Sequence, residues 1–305
     1  GGFLCFLQAL KVASGRDYLN VERPNASNIT MIPRCMMVIG PPAVYPYRSN
    51  MGPTYGSPEL HRELTGLSSG GYFSEGFGAI ADRHKPALLW TYNQCFDASA
   101  EARAFDTFSL YPHRAMLALV NWPTFTGVEE KNPGEVLPKV SRDSLYDYFV
   151  FRNRWQDKDD IVTTVLINVP DGTKPYSVMV WGVGTRNDFG NPPRRVPVTH
   201  FQAGGDGSGT LSAGDWALAV DYSGASGADA LLVSLGTEVK PPSKPSDNVR
   251  ITTVAAGAST FSVMTLSRSG NHPVATAAGE KIVIGKQTLT YSGGKLTLSV
   301  FDAQK

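Results

Sequence analysis

From residue 116 onward the chain alternates. Tyr146, Tyr148 and Val150 fall two apart with Asp147 and Phe149 between them, and Trp216, Leu218, Val220 and Tyr222 alternate with small or polar residues. Runs rich in β-branched and aromatic side chains recur at 161–167, 176–181, 230–235, 249–254, 261–266, 282–284, 288–291 and 296–300. A period of two predicts strands, because successive side chains of a strand face opposite sides. About ten half-buried strands separated by turns predict antiparallel sheets packed face to face. Ser292-Gly293-Gly294 and Asn187-Asp188-Phe189-Gly190-Asn191 read as turns, and Gly204-Gly205-Asp206-Gly207-Ser208-Gly209 as a flexible hairpin. With no long helical period between the runs, a βαβ fold is excluded.

The first third reads differently. Residues 1–14 carry Phe3, Leu7, Leu10 and Val12 as one apolar side of a helix that stops at Gly15. Residues 27–40 are apolar and interrupted by Pro33, which predicts a kinked helix or two short ones. Ser57-Pro58-Glu59 is a helix start with an N-cap, a proline at the first helical position and an acid in the first turn. The expected fold class is α+β and multidomain, with a helical portion at 1–106 and an antiparallel β-sandwich at 107–305. Residues 87–155 form the joint.

Composition narrows the class. The chain has 305 residues with 28 Lys plus Arg against 27 Asp plus Glu, so bulk charge does not point to nucleic acid or to a membrane surface. No apolar run reaches the ~20 residues that span a bilayer. Cys5, Cys35 and Cys95 lack metal-ligand spacing; they read as buried thiols, with one disulfide left open. The start in mid-helix, without Met, reads as a fragment or a processed piece. Asn25-Ala26-Ser27 and Asn28-Ile29-Thr30 match the glycosylation pattern.

The joint resembles the heparinase II/III-like polysaccharide lyases, in which an (α/α) toroid precedes an antiparallel β-sandwich. The toroid-ending segment is Leu88-Leu89-Trp90-Thr91-Tyr92. The strand-opening segment is Val150-Phe151-Arg152-Asn153-Arg154-Trp155, followed by Gln156-Asp157-Lys158-Asp159-Asp160 and Ile161-Val162-Thr163-Thr164-Val165. Phe261-Ser262-Val263-Met264-Thr265-Leu266, Val283-Ile284-Gly285-Lys286-Gln287-Thr288 and Gly294-Lys295-Leu296-Thr297-Leu298 echo the end. The resemblance covers most of the chain by order of elements and implies the end of a toroid followed by a sandwich. It also implies cleavage of a uronic-acid polysaccharide, and hence a secreted or periplasmic setting. Two departures stand out. Residues 175–186 lack the histidines of the family's His-Gly-His-x-Asp-like strand, so no metal and no cofactor are expected. Tyr72-Phe73-Ser74-Glu75-Gly76 sits late for the family's toroid motif, so the upstream catalytic residues are expected on an N-terminal segment of the same protein.

A uronan lyase removes the proton α to the uronate carboxylate and protonates the leaving glycosidic oxygen. The carboxylate charge has to be neutralised as the enolate develops. Tyr and His serve as base and acid when neighbouring cations lower their pKa values. The catalytic candidates are Tyr55, His61 and His113. The Pro-rich stretch 41–56 supplies Tyr45, Tyr47, Arg48 and Asn50 for substrate, joined by Tyr72, Glu75 and Arg114. Arg152, Arg154 and Trp155 read as architecture, with an Arg paired to Asp157 or Asp159; His84 reads as a solvated helix end, and His200 and His272 as structural. A glycoside hydrolase or phosphorylase would need two carboxylates across the cleft. Glu59, Glu63, Glu75 and Asp82 form no clear pair. A glycan-binding module could use the same tyrosines.

Overall fold

The computed structural model describes residues 2–20, 81–87, 89–90, 127–143, 147–156, 159–167, 178–190, 192–193, 195–236 and 246–299. The chain forms two compact units, Gly1–Leu137 with Trp155–Lys158, and Pro138–Arg154 with Asp159–Lys305.

In the first unit, α1 (Gly2–Ser14) ends where Gly15 takes φ +71° and donates its N–H to the Lys11 carbonyl at 2.9 Å. Leu7 is buried, whereas Val12 is 83% exposed. Val12 therefore does not share the inner side: five residues on from Leu7, it lies about 140° round the helix. After α1, Asp17 accepts from Lys11 Nζ and Asn20 Nδ2, both at 2.7 Å, and from the backbone of Leu19 and Asn20. Asn20 Oδ1 in turn accepts from the Asp82 N–H at 2.8 Å, tying this turn to the 3-10 turn Asp82–His84. The short α2 (Pro133–Val136) has Pro133 in its first turn and Asn132 as its N-cap, accepting from Gly134 N at 2.8 Å. Asn132 Nδ2 also donates to the Trp155 carbonyl at 2.8 Å.

The second unit is antiparallel β throughout its described residues, in three sheets. The first has the order β1 (Val140–Asp143), β2 (Tyr148–Arg152), β3 (Val162–Leu166), β4 (Met179–Gly182), β5 (Thr185–Asp188). The second is built from β6 (Val198–Ala203), β7 (Gly209–Ala213), β8 (Trp216–Asp221), β9 (Ala230–Leu235), β10 (Val249–Ala256) and β11 (Ser259–Leu266), in the order β10-β11-β9-β8-β7-β6. The third is the meander β12 (Ala275–Ala278), β13 (Lys281–Ile284), β14 (Gln287–Ser292), β15 (Lys295–Leu298).

The six-stranded sheet is the middle layer. Trp216, Leu218, Val220, Ala230 and Leu232 pack against Phe149, Phe151, Val165, Val180 and Phe189 of the five-stranded sheet region. On its other face, Ala217, Ala219, Leu231 and Val233 pack against Ile282, Ile284, Leu289, Leu296 and Leu298. The half-buried alternation expected of every strand thus fails in the middle: β8 is buried at all six positions. Two of its alternate residues, Ala217 and Ala219, are small, which lets a second sheet close down on them, and the third, Asp221, is buried with its carboxylate accepting from the Ser223 N–H. Two turn readings also change. Asn187 and Asp188 belong to β5, and the Gly-rich 204–209 hairpin is pinned rather than loose. In that hairpin Ser208 donates from N and Oγ to the Asp206 carboxylate, and Gly204 N bonds the Ser208 carbonyl.

Candidate functional site

The residues that the chemistry singles out, Tyr45, Tyr47, Arg48, Asn50, Tyr55, His61, Tyr72, Glu75, His113 and Arg114, all lie outside the described residues. What the structure does describe is the segment that carries the resemblance, Val150 to Arg154, and the polar network around it.

Arg152, the last residue of β2, is fully buried. Its Nη2 meets Asp160 Oδ2 at 3.0 Å, and its Nε donates to the Arg154 carbonyl at 2.8 Å. Arg154 Nε reaches the other oxygen, Asp160 Oδ1, at 3.1 Å. Both arginines therefore share Asp160, while Asp157, one of the two acids expected from sequence, lies outside the described residues. The reason is local. β2 and β3 pair antiparallel with Arg152 opposite Val162. Asn153 then closes the connection, donating its N–H to the Ile161 carbonyl at 3.2 Å and accepting the Ile161 N–H on Oδ1 at 2.9 Å. That clasp fixes residue 160 beside the end of β2, inside the protein. The backbone of Asp159 serves a different purpose: its carbonyl accepts from Arg268 Nη2.

The carbonyl side of the same strand is held by the middle sheet. Gly207, at φ +97°, sits so close to the Arg152 carbonyl that a Cβ there would overlap it. Tyr222 Oη lies 2.7 Å from Thr163 Oγ1 and donates to the Phe151 carbonyl at 3.3 Å. Burial holds the Tyr222 hydroxyl well above its ordinary pKa, overriding the opposing effects of Thr163 and the Arg152 charge. Tyr222 therefore ties the two sheets through Thr163 Oγ1 and the Phe151 carbonyl.

The described histidines are placed as follows. His272 is buried, with Nδ1 2.7 Å from Thr265 Oγ1 and Nε2 2.8 Å from the Asp247 carbonyl. Both ring nitrogens are thus occupied by structural partners. His200, on β6, places Nε2 3.1 Å from Thr210 Oγ1; burial, then the Lys295 charge, pushes its pKa down. His84 is half-buried rather than solvated, its Nδ1 has no hydrogen-bond partner, and burial with the Arg83 charge lowers its pKa. Among the described residues no three His, Cys, Asp or Glu side chains gather as metal ligands. No described helix is long and apolar enough to cross a membrane.

The arrangement around Arg152 and Asp160 fixes the β2–β3 connection. Sequence pointed to the arginines but not to Asp160. The available signal was position: Asp160 directly precedes the β-branched run at 161, so pairing of β2 with β3 draws it inward. No family model, curated protein or solved structure matches the chain.

Proposed function

We propose that the chain is part of a polysaccharide lyase that cleaves a uronic-acid polymer by β-elimination. The observation that carries this reading is the succession of lyase-like segments, from Leu88-Leu89-Trp90-Thr91-Tyr92 through Val150-Phe151-Arg152-Asn153-Arg154-Trp155 to the final strands. It is supported by the place of Val150 to Arg152 at the opening of a large antiparallel β unit. In this reading residues 1–106 are the end of an (α/α) toroid, and the protein works outside the cytoplasm or in the periplasm.

The chemistry then divides among three groups. Arg48, Asn50 or Arg114 neutralises the uronate carboxylate. One of Tyr55, His61 and His113 removes the α-proton, and another protonates the glycosidic oxygen. The C–H and C–O bonds break as the sugar double bond forms. Tyr45, Tyr47, Tyr72 and Glu75 hold the neighbouring sugars.

The test is incubation of the full chain with alginate, polygalacturonate and hyaluronan while the ultraviolet absorbance of the unsaturated uronate is followed. A rise that Tyr55→Phe and His113→Ala slow, without loss of fold, is the expected result. New reducing ends without absorbance would replace elimination by hydrolysis. Retention on the polymers without cleavage would leave a binding module.

A further inference from the structure

The third sheet has one face in the core and one face turned outward. Ile282, Ile284, Leu289, Leu296 and Leu298 point inward. Alternation then turns Thr276, Ala278, Lys281, Val283, Thr288, Thr290, Ser292, Lys295 and Thr297 outward. All nine are exposed or partly exposed. Strand register sets them in rows. Thr276, Val283 and Thr288 lie side by side; Ala278, Lys281, Thr290 and Thr297 form the next row; Ser292 and Lys295 form the third.

Three properties of this face narrow what fits it. Among the described residues it carries two ammonium groups and no carboxylate. Glu280, the acid nearest in sequence, lies at the β12–β13 turn with its side chain against Gly257 of the β10–β11 turn, on the side of the middle sheet. It carries hydroxyl groups along its length: Thr276 and Thr297 spend their protons on the carbonyls of Val283 and Thr290, both at 3.4 Å, leaving oxygen lone pairs outward. Its described residues include no aromatic ring on which a neutral sugar could stack. Two strands and one row separate Lys281 from Lys295, a spacing of about 12 Å from strand geometry. That backbone spacing suits charges strung along an extended chain.

We propose that the outer face of the β12–β15 sheet is a second, non-catalytic binding surface for an anionic polysaccharide, read by Lys281 and Lys295 with the threonine rows between them. The choice of a uronate polymer as occupant rests on the lyase reading. Rim contacts of this kind are individually weak, so the surface would raise the local concentration of polymer rather than set specificity.

The experiment is affinity electrophoresis of the full chain in gels containing polygalacturonate, with dextran gels as the neutral control. The unmodified chain is expected to be retarded by polygalacturonate alone, and the retardation to disappear near ~1 M salt, where the screening length falls to about 3 Å. The double variant Lys281→Gln/Lys295→Gln is expected to weaken the interaction about tenfold, from two exposed contacts. Lys281→Arg/Lys295→Arg should retain it. Retardation that is absent in the unmodified chain, or the same in the glutamine variant, would overturn the surface. The lyase reading is scored separately on the same proteins by ultraviolet absorbance. Absorbance with lysine-independent retardation removes this surface and keeps the lyase; lysine-dependent retardation without absorbance keeps the surface and removes the lyase.

Discussion

Arg152 and Asp160 face each other 3.0 Å apart with their side chains almost wholly removed from water. Such a pair contributes little net stability when both partners are present, because desolvation offsets the attraction. Loss of one partner is another matter. Asp160→Asn is expected to cost about 3–5 kcal/mol, since it removes the buried charge set against the Arg152 guanidinium. Urea denaturation checks this, with Lys11→Ala as the comparison. Lys11 pairs with Asp17 at the surface, where loss of a pair is expected to cost no more than about 1 kcal/mol.

Gly207→Ala places a methyl group on the Arg152 carbonyl and asks an alanine to hold φ +97°. The backbone strain alone is expected to cost about 1–3 kcal/mol, with the collision adding to it. A fall in the urea midpoint with the slope unchanged would be the signature of lost stability in an otherwise intact fold. An unchanged midpoint would show that the 204–209 hairpin is free to move off β2.

The small residues of β8 give a third expectation. Ala219 is 1% exposed and belongs to the core shared with Leu296 and Leu298. Ala219→Leu is expected to destabilise by about 1–3 kcal/mol through overpacking. Leu296→Ala is expected to cost about 2–5 kcal/mol through the opposite fault, a cavity. Were Ala219→Leu neutral in thermal melts, the third sheet would not be seated on the middle one.

Stability against pH follows from the histidines. Burial lowers the pKa of His84 and of His200 below the ordinary value. A lowered histidine means that the unfolded chain binds the proton more readily. The contribution is therefore fully present above about pH 6.5 and is lost as pH falls from there through the folded-state pKa values. Stability measured between neutral and mildly acidic pH should decline, and His84→Gln/His200→Gln should flatten that decline. Equal slopes for both proteins would show that carboxylates carry the whole effect.

The second unit was largely legible because a period of two marks β-strands. Trp216, Leu218 and Val220 announced β8, and Ser292-Gly293-Gly294 announced the turn into β15. The middle layer was harder to read. Ala217 and Ala219 look like the polar half of an alternating strand until another sheet is seen to cover them. β5 was hidden because Asn187 and Asp188 carry turn chemistry, which cross-strand pairing with Val180 and Met179 overrides. Asp160 was missed because three acids crowd 157–160, and their spacing does not show that the Asn153 clasp sets residue 160 beside Arg152. Val12 was misassigned by counting apolar residues along α1 without following their angle. The catalytic candidates Tyr55, His61 and His113 lie outside the described residues, and spacing along a sequence carries little information on which residues meet in space.

The middle sheet has a consequence for the order in which amide protons exchange with solvent. Ala217 and Ala219 of β8 and Leu231 and Val233 of β9 belong to one core, while their immediate neighbours Leu218, Val220, Ala230 and Leu232 belong to the other. Fraying of β12–β15 bares one side of these strands and leaves the other packed. Their backbone protons are then released only by a global opening, whereas those of the outer meander escape through a smaller one. Protection should fall from β8 and β9 outward, so that a labelling experiment would resolve the layers of the domain as steps in time.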